Sequence, residues 1–522
     1  MKRRLAALTA FVVATAGGVV VAGEVRAVTS APGGTAGRTQ VSLPATGLAA
    51  VPVCPGPQTL VAPAGGEAVA PDGPVVVGAV VEGSDVSPAT RATLAGKTLV
   101  AQGKVYGFRT LPLTSAGLVP LRASRAGAAP PLSAVQLGLA RTGDFRGLSA
   151  LTCSTAATQT WLVGGGTQVG RRGQLLLANP AATPAEVDVT VHGPHGAVES
   201  PPGTGVVVPA GGQVALRIDA LAPELDAVAV HVRARSGRVT ATLHDSYDRG
   251  VTPSGVDDVT AAAPAAARQV IPGISVASAP GSALPSSATA PGAVAVRVVN
   301  PGTGELVARV SLLGDGGAVT LPDAVLTIGP GEVRDLPVTD VPTGVYTAVV
   351  EADAPMVAGA VVGRVLPGGE VAGTSAAVGR TVPPSEFAWA SSVEPLVGTT
   401  LVALPELDEG DHVAAVSALL SVAAPDGPGS VQVDELAADG TTLRTTTVLA
   451  TAGSGARHQV SGKTAALRLR PVAGSGPLSA ALVLIVPDPS GSMIAVLPVR
   501  PGPTGSGARP HVVSDVRVGL RA

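Results

Sequence analysis

Proline and glycine interrupt this chain so often that little regular structure longer than a short strand fits between them. Gly (67) and Pro (47) make up about a fifth of the 522 residues. Proline lacks the N–H that a helix interior needs and clashes with the preceding turn. Few stretches longer than ten residues keep a helical period. Between the breaks lie short runs that alternate or are nearly all β-branched. Examples are Val187-Asp-Val-Thr-Val-His192, Val228-Ala-Val-His-Val-Arg233 and Ala295-Val-Arg-Val-Val299. Such runs read as strands. With only 2 Trp, 3 Tyr and 4 Phe, their cores must be built from Val, Leu and Ala.

The strands recur as a long repeat. Gln174-Leu-Leu-Leu-Ala-Asn-Pro180 matches Ala295-Val-Arg-Val-Val-Asn-Pro301, and Pro209-Ala-Gly-Gly-Gln-Val214 matches Gly329-Pro-Gly-Glu-Val333. A further copy includes Ala418-Leu-Leu-Ser-Val-Ala-Ala-Pro425. Its closing runs, Leu467-Arg-Leu-Arg470 and Ser475-Gly-Pro-Leu-Ser-Ala-Ala-Leu482, match Val230-His-Val-Arg233 and Ser236-Gly-Arg-Val-Thr-Ala-Thr-Leu243. Six or seven strands in roughly 100–120 residues predict tandem immunoglobulin-like β-sandwiches. A β-propeller is the alternative, although its blades repeat at about 40–50 residues.

Lys2, Arg3 and Arg4 precede the uncharged run Leu5 to Ala22, the pattern of an export signal. Residues 1–27 therefore read as a cleaved signal peptide or an uncleaved signal anchor. The remaining divisions are a flexible spacer at 28–50, an N-terminal β unit at 51–153 and sandwich repeats at 154–250, 286–380 and 385–500. A linker covers 251–285, and 501–522 reads as a spacer with a terminal strand from His511 to Leu520 that pairs back onto the body. Loss of the three N-terminal basic residues would move the net charge from −2 to about −5. Neither value attracts nucleic acid or anionic lipid. Membrane contact is expected only through residues 5–22. In an exported chain the lone pair Cys54 and Cys153 reads as a disulfide.

Cys54-Pro-Gly-Pro57, Gly143-Asp-Phe-Arg-Gly-Leu148, Cys153, Trp161-Leu-Val-Gly-Gly-Gly166 and Leu176-Leu-Ala-Asn-Pro180 carry a resemblance. The chain resembles a domain family of unknown function from exported actinobacterial proteins. Its 31 Arg against 4 Lys suit a high-GC genome. The resemblance implies export and a β-rich body, and no activity.

Most chemistry-bearing motifs lack their context. Leu43-Pro-Ala-Thr-Gly47 matches a sortase signal but sits at the wrong end of the chain. Ser461-Gly-Lys-Thr464 resembles the end of a phosphate-binding loop, yet Arg457 stands where that loop needs glycine. His192, His195, His231 and His244, with Asp245 and Asp248, fall in one copy. A metal site would need three or four of them to converge. Asp257-Asp258 and the group Glu406, Asp408, Glu409 and Asp411 read as solvated loop acids, the latter a weak Ca²⁺ alternative. There is no Gly-x-Ser-x-Gly elbow. Trp161 and Trp389 read as core plugs, with ligand contact as the alternative.

These readings predict a non-catalytic exported envelope protein: a scaffold, spacer or accessory subunit at the cell surface or outside it. Its partner would be an envelope protein or a cell-wall polymer. A cell-wall or carbohydrate-binding module is the first alternative. An unrecognised hydrolase or metalloprotein is the second. No cofactor or metal is expected.

Overall fold

A computed structural model describes residues 39–42, 51–59, 71–82, 91–100, 106–115, 117–124, 130–277, 290–365, 385–489, 491–501 and 511–514. The signal region and the Leu43–Gly47 motif lie outside them. The chain divides into two units. In the smaller, Thr39–Ser42 pairs antiparallel with His511–Ser514. Residues 39–42 are thus a strand inside the segment read as a spacer, and the terminal strand pairs with them.

The larger unit, residues 49–505, repeats one topology four times. In the second copy the strands are Gln159–Val163, Arg171–Ala178, Ala185–Gly193, Gly196–Val198 continued by Val206–Val208, Gln213–Arg217, Ala229–Ser236, Thr240–Arg249 and Thr252–Val259. Counting from one to eight, one sheet runs first, sixth, third, fourth. The other runs fifth, second, seventh, eighth. The first copy, from Pro52–Cys54 to Gly147–Thr152, has the same order, with Ser154–Thr155 added at its first-strand edge. The third copy runs from Ala266–Val276 to Ser385–Ser391, and the fourth from Thr400–Ala403 to Met493–Val499. The protein is therefore all-β and built of sandwiches, with no propeller or closed barrel among the described residues.

Three expectations need correction. Each copy has eight strands, and the linker at 251–285 holds two of them: Thr252–Val259 ends the second copy and Ala266–Val276 begins the third. Pro253, Gly255, Asp257 and Asp258 disguise the former. Ser385–Ser391, placed at the head of the last repeat, instead ends the third copy by pairing with its seventh strand. The sixth and seventh strands do not form a hairpin. These strands belong to opposite sheets, and in the third copy Gly344–Val365 runs unbroken from one sheet into the other.

Each sandwich has a Val/Leu/Ala core between its sheets. The Asn-Pro turns do more than bend the chain. Asn179 is fully buried; its Nδ2 donates to the carbonyls of Thr183 (2.8 Å) and Val208 (3.2 Å), and its Oδ1 accepts from Ala181 N (3.0 Å). Asn300 repeats this clamp on Gly304, Ile328 and Gly302. Cys54 and Cys153 form a disulfide, Cα–Cα 4.6 Å, joining the first strand to the residue just after the eighth.

The four eighth strands pack in a cycle. Gly147–Thr152 lies against Thr252–Val259, which lies against Ser385–Ser391; that strand contacts Met493–Val499, which returns to Gly147–Thr152. The first strand of each of the last three copies also packs on the neighbouring copy's second sheet. Gln159–Val163 contacts the third copy, Ala266–Val276 the fourth, and Thr400–Ala403 the first. The sandwiches thus close into a ring around their eighth strands.

Candidate functional site

The cycle of eighth strands creates a physical problem. Each is an edge strand with unpaired N–H groups, and burial makes such groups costly. Acidic side chains supply the missing acceptors. Asp257, fully buried on the second copy's eighth strand, accepts from Trp389 N (2.6 Å) and Ala150 N (3.3 Å) through its two oxygens. One carboxyl thereby ties three copies together. Glu386, also buried, accepts from Leu148 N (3.3 Å) and ties the third copy to the first. Burial, with the Asp258 charge beside it, pushes Asp257 well above the usual carboxylate range. Burial does the same to Glu386, against the opposing pull of Arg146.

Trp389 is 2% exposed and sits in the seam between the second and third copies. Its Nε1 donates to Asp245 (2.8 Å), whose carboxylate also pairs with Arg171. The guanidiniums of Arg171 and Arg297 lie 5.5 and 5.1 Å from its ring centroid. Arg297 also grips Asp335 bidentately and donates to the carbonyls of Gly165 (2.6 Å) and Val228 (3.0 Å) across the seam. Trp389 therefore presents no free face to a ligand, and the ligand-contact alternative is withdrawn for it. The Trp-Leu-Val-Gly-Gly-Gly block is explained by the same seam, where Gly164 makes room for the Trp389 ring and Gly165 supplies a carbonyl.

The histidines are dispersed. His231 stacks on Trp161 (centroids 4.2 Å, interplanar 8°), and His192 tilts against the same ring at 4.9 Å. The His192 ring shares a hydrogen bond of 2.9 Å between its Nδ1 and the Gly331 carbonyl of the third copy. Burial, with His192 nearby, pushes His231 down to about 4. His244 pairs instead with Asp258, and His195 is exposed on its turn. Among the described residues no three His, Cys, Asp or Glu are arranged to hold a metal. In the Glu406–Asp411 group, Glu409 is taken up by Arg141 in a bidentate pair, and Asp408 accepts from Gly410 N. The Ser461–Thr464 loop closes over a carboxylate of its own chain: Ser461 N and Thr464 Oγ1 both donate to Glu435.

A cavity of about 390 Å³ lies where the eighth strands end and the copies converge. Residues from the first, second and fourth copies and from the connections 261–265 and 392–399 line it. Trp161 lies on its wall, 9% exposed, so of the two tryptophans it is the one at an open site. Arg500 and Glu394 are its charged residues. Arg500 donates to the Ala261 carbonyl and, at 3.4 Å, to Thr260 Oγ1, a link from the fourth copy to the second. Burial pulls the guanidinium down to about 10, with Glu394 acting in the opposite sense. Composition marked neither Arg500 nor Glu386; the available signal was a charge inside or just after a strand-like run.

Fold and cleft define a class: a tandem β-sandwich protein closed into a ring, with a cleft at the ring's axis. Residues 112–461 match a family of unknown function (DUF5719), and the chain belongs to that family. The match begins inside the first sandwich and ends inside the fourth. The comparison with curated proteins finds no match. Among solved structures, the α-L-rhamnosidase of Streptomyces avermitilis complexed with L-rhamnose aligns at 10% identity over 86% of this chain and 57% of that one. The TM-score of 0.10 is too low for that likeness to bear on fold or function.

Proposed function

We propose that this chain is a non-catalytic, exported envelope protein whose ring of sandwiches serves as a scaffold or accessory subunit, held at the cell surface or released from it. The observation that carries this reading is where the acids and tryptophans lie. Asp257 and Glu386 accept backbone N–H groups between copies, and Trp389 is buried against two guanidiniums. A glycosidase would need two carboxylates facing each other across an open cleft. The export pattern of residues 1–27 supports the location.

The axial cleft favours a second reading, in which the scaffold also holds a cell-wall polymer. A concave site of about 390 Å³ falls in the size range of small-ligand pockets. The test uses residues 28–522 as bait on envelope fractions, with proteins and glycans both read by mass spectrometry. A specific membrane enzyme in the eluate supports the accessory-subunit reading. A specific wall polymer, lost in Trp161→Ala, supports the polymer-binding reading. Turnover of any wall glycan or peptide by the purified protein overturns both.

A further inference from the structure

The axial cleft has an unusual charge balance. Its wall is mostly Ala, Pro, Ser and Thr, and its charged side chains are one arginine and one glutamate. Arg500 is held by neutral groups only, the Ala261 carbonyl and the Thr260 hydroxyl, and makes no ion pair among the described residues. Arg500 is half-buried, and its Nε and Nη1 make no hydrogen bond among the described residues. A guanidinium in this position has unused donors, and the charge on the cleft wall that balances it is the exposed Glu394, which makes no ion pair with it among the described residues. Such a group matches a planar oxyanion. Around it Ser133, Ser154, Thr155, Gln159 and Thr160 supply neutral donors and acceptors of the kind that hydroxyls of a sugar would meet.

We infer that the axial cleft binds a carboxylate-bearing saccharide, with Arg500 on the carboxylate and the Ser/Thr/Gln wall on the ring hydroxyls. Glu394, exposed on the same wall, opposes the anion and limits its affinity. The inference rests on the polymer-binding reading and names the chemistry that would be recognised.

The test is calorimetric titration of the full chain at low ionic strength with glucuronate and with glucose. Glucuronate should bind and glucose should not, and added salt should weaken binding. Arg500→Gln should cost about tenfold in affinity or more, the scale of one lost charged hydrogen bond. Glu394→Gln should raise the affinity, and because that side chain is exposed the variant keeps the fold. Equal binding of glucose, no binding of glucuronate, or weaker binding by Glu394→Gln would each overturn the inference. Failure of the scaffold reading would show separately, as turnover of a wall glycan.

Discussion

Gly164 has no space for a side chain. A Cβ there would lie 2.8 Å from the Trp389 ring and from Val259 Cγ2, neither of which can move without opening the seam. Gly164→Ala should therefore cost about 1–3 kcal/mol, as overpacked cores do, and chemical denaturation would measure it. Trp389→Ala should cost about 3–5 kcal/mol, the range for a large buried aromatic, and act as a folding variant. The buried acids give a pH signature. Asp257 and Glu386 hold their protons more tightly folded than unfolded, because burial raises both. The folded state then carries more bound protons above the ordinary carboxyl range, so stability falls as pH rises from there toward their folded values. Asp434 and Glu435 act in the opposite direction. Burial would raise them, but hydrogen bonds from Thr445 and Arg468 to Asp434, and from Arg444, His458 and Thr464 to Glu435, outweigh it and lower both. Their contribution is lost on acidification. Glu386→Gln keeps an acceptor for Leu148 N and removes a buried group that titrates. It should flatten the decline in melting temperature between mildly acidic and mildly alkaline pH; an unchanged decline would contradict the assignment.

The disulfide ties the first strand of the first sandwich to the end of its eighth strand, 99 residues apart. The chain-entropy scale for such a loop is about 4–5 kcal/mol. A Cys54→Ala/Cys153→Ala variant should lose stability of that order, with hydrogen exchange rising first in residues 75–81 and 132–140. Most elements could be read in the sequence because their alternation survives in the structure. The burial of Ala185–Gly193 switches residue by residue over its first seven positions, as its Val/Asp/Val/Thr pattern requires. The second strands of the last three copies, and the sixth and seventh strands of the second and fourth, fall where internal matching placed them. Thr252–Val259 and Ser385–Ser391 were misassigned because nearly every residue in them is buried, an environment with little alternation to detect. Thr252–Val259 also contains acids that a surface loop would explain equally well. The axial cleft was illegible for a related reason: its walls come from segments hundreds of residues apart, and only the eighth-strand cycle brings them together. The reading of Trp161 as a candidate contact was open in the sequence, whereas Arg500 follows Pro498 and Val499 near a segment that reads as a spacer.

At the scale of the molecule, four copies of one sandwich are joined through their least regular strands. Separate sandwiches on linkers would behave as beads on a string and unfold one at a time. Here Asp257 bonds to two other copies, Glu386 joins the third copy to the first, and Thr152 Oγ1 donates to the Pro498 carbonyl of the fourth. The most direct test of this account is differential scanning calorimetry of the full chain. The ring predicts one cooperative transition for residues 49–505, with calorimetric and van't Hoff enthalpies in agreement. Two or more resolved transitions, unchanged in Glu386→Gln, would mean that the sandwiches fold independently, and would contradict the role assigned to the eighth strands and their buried acids.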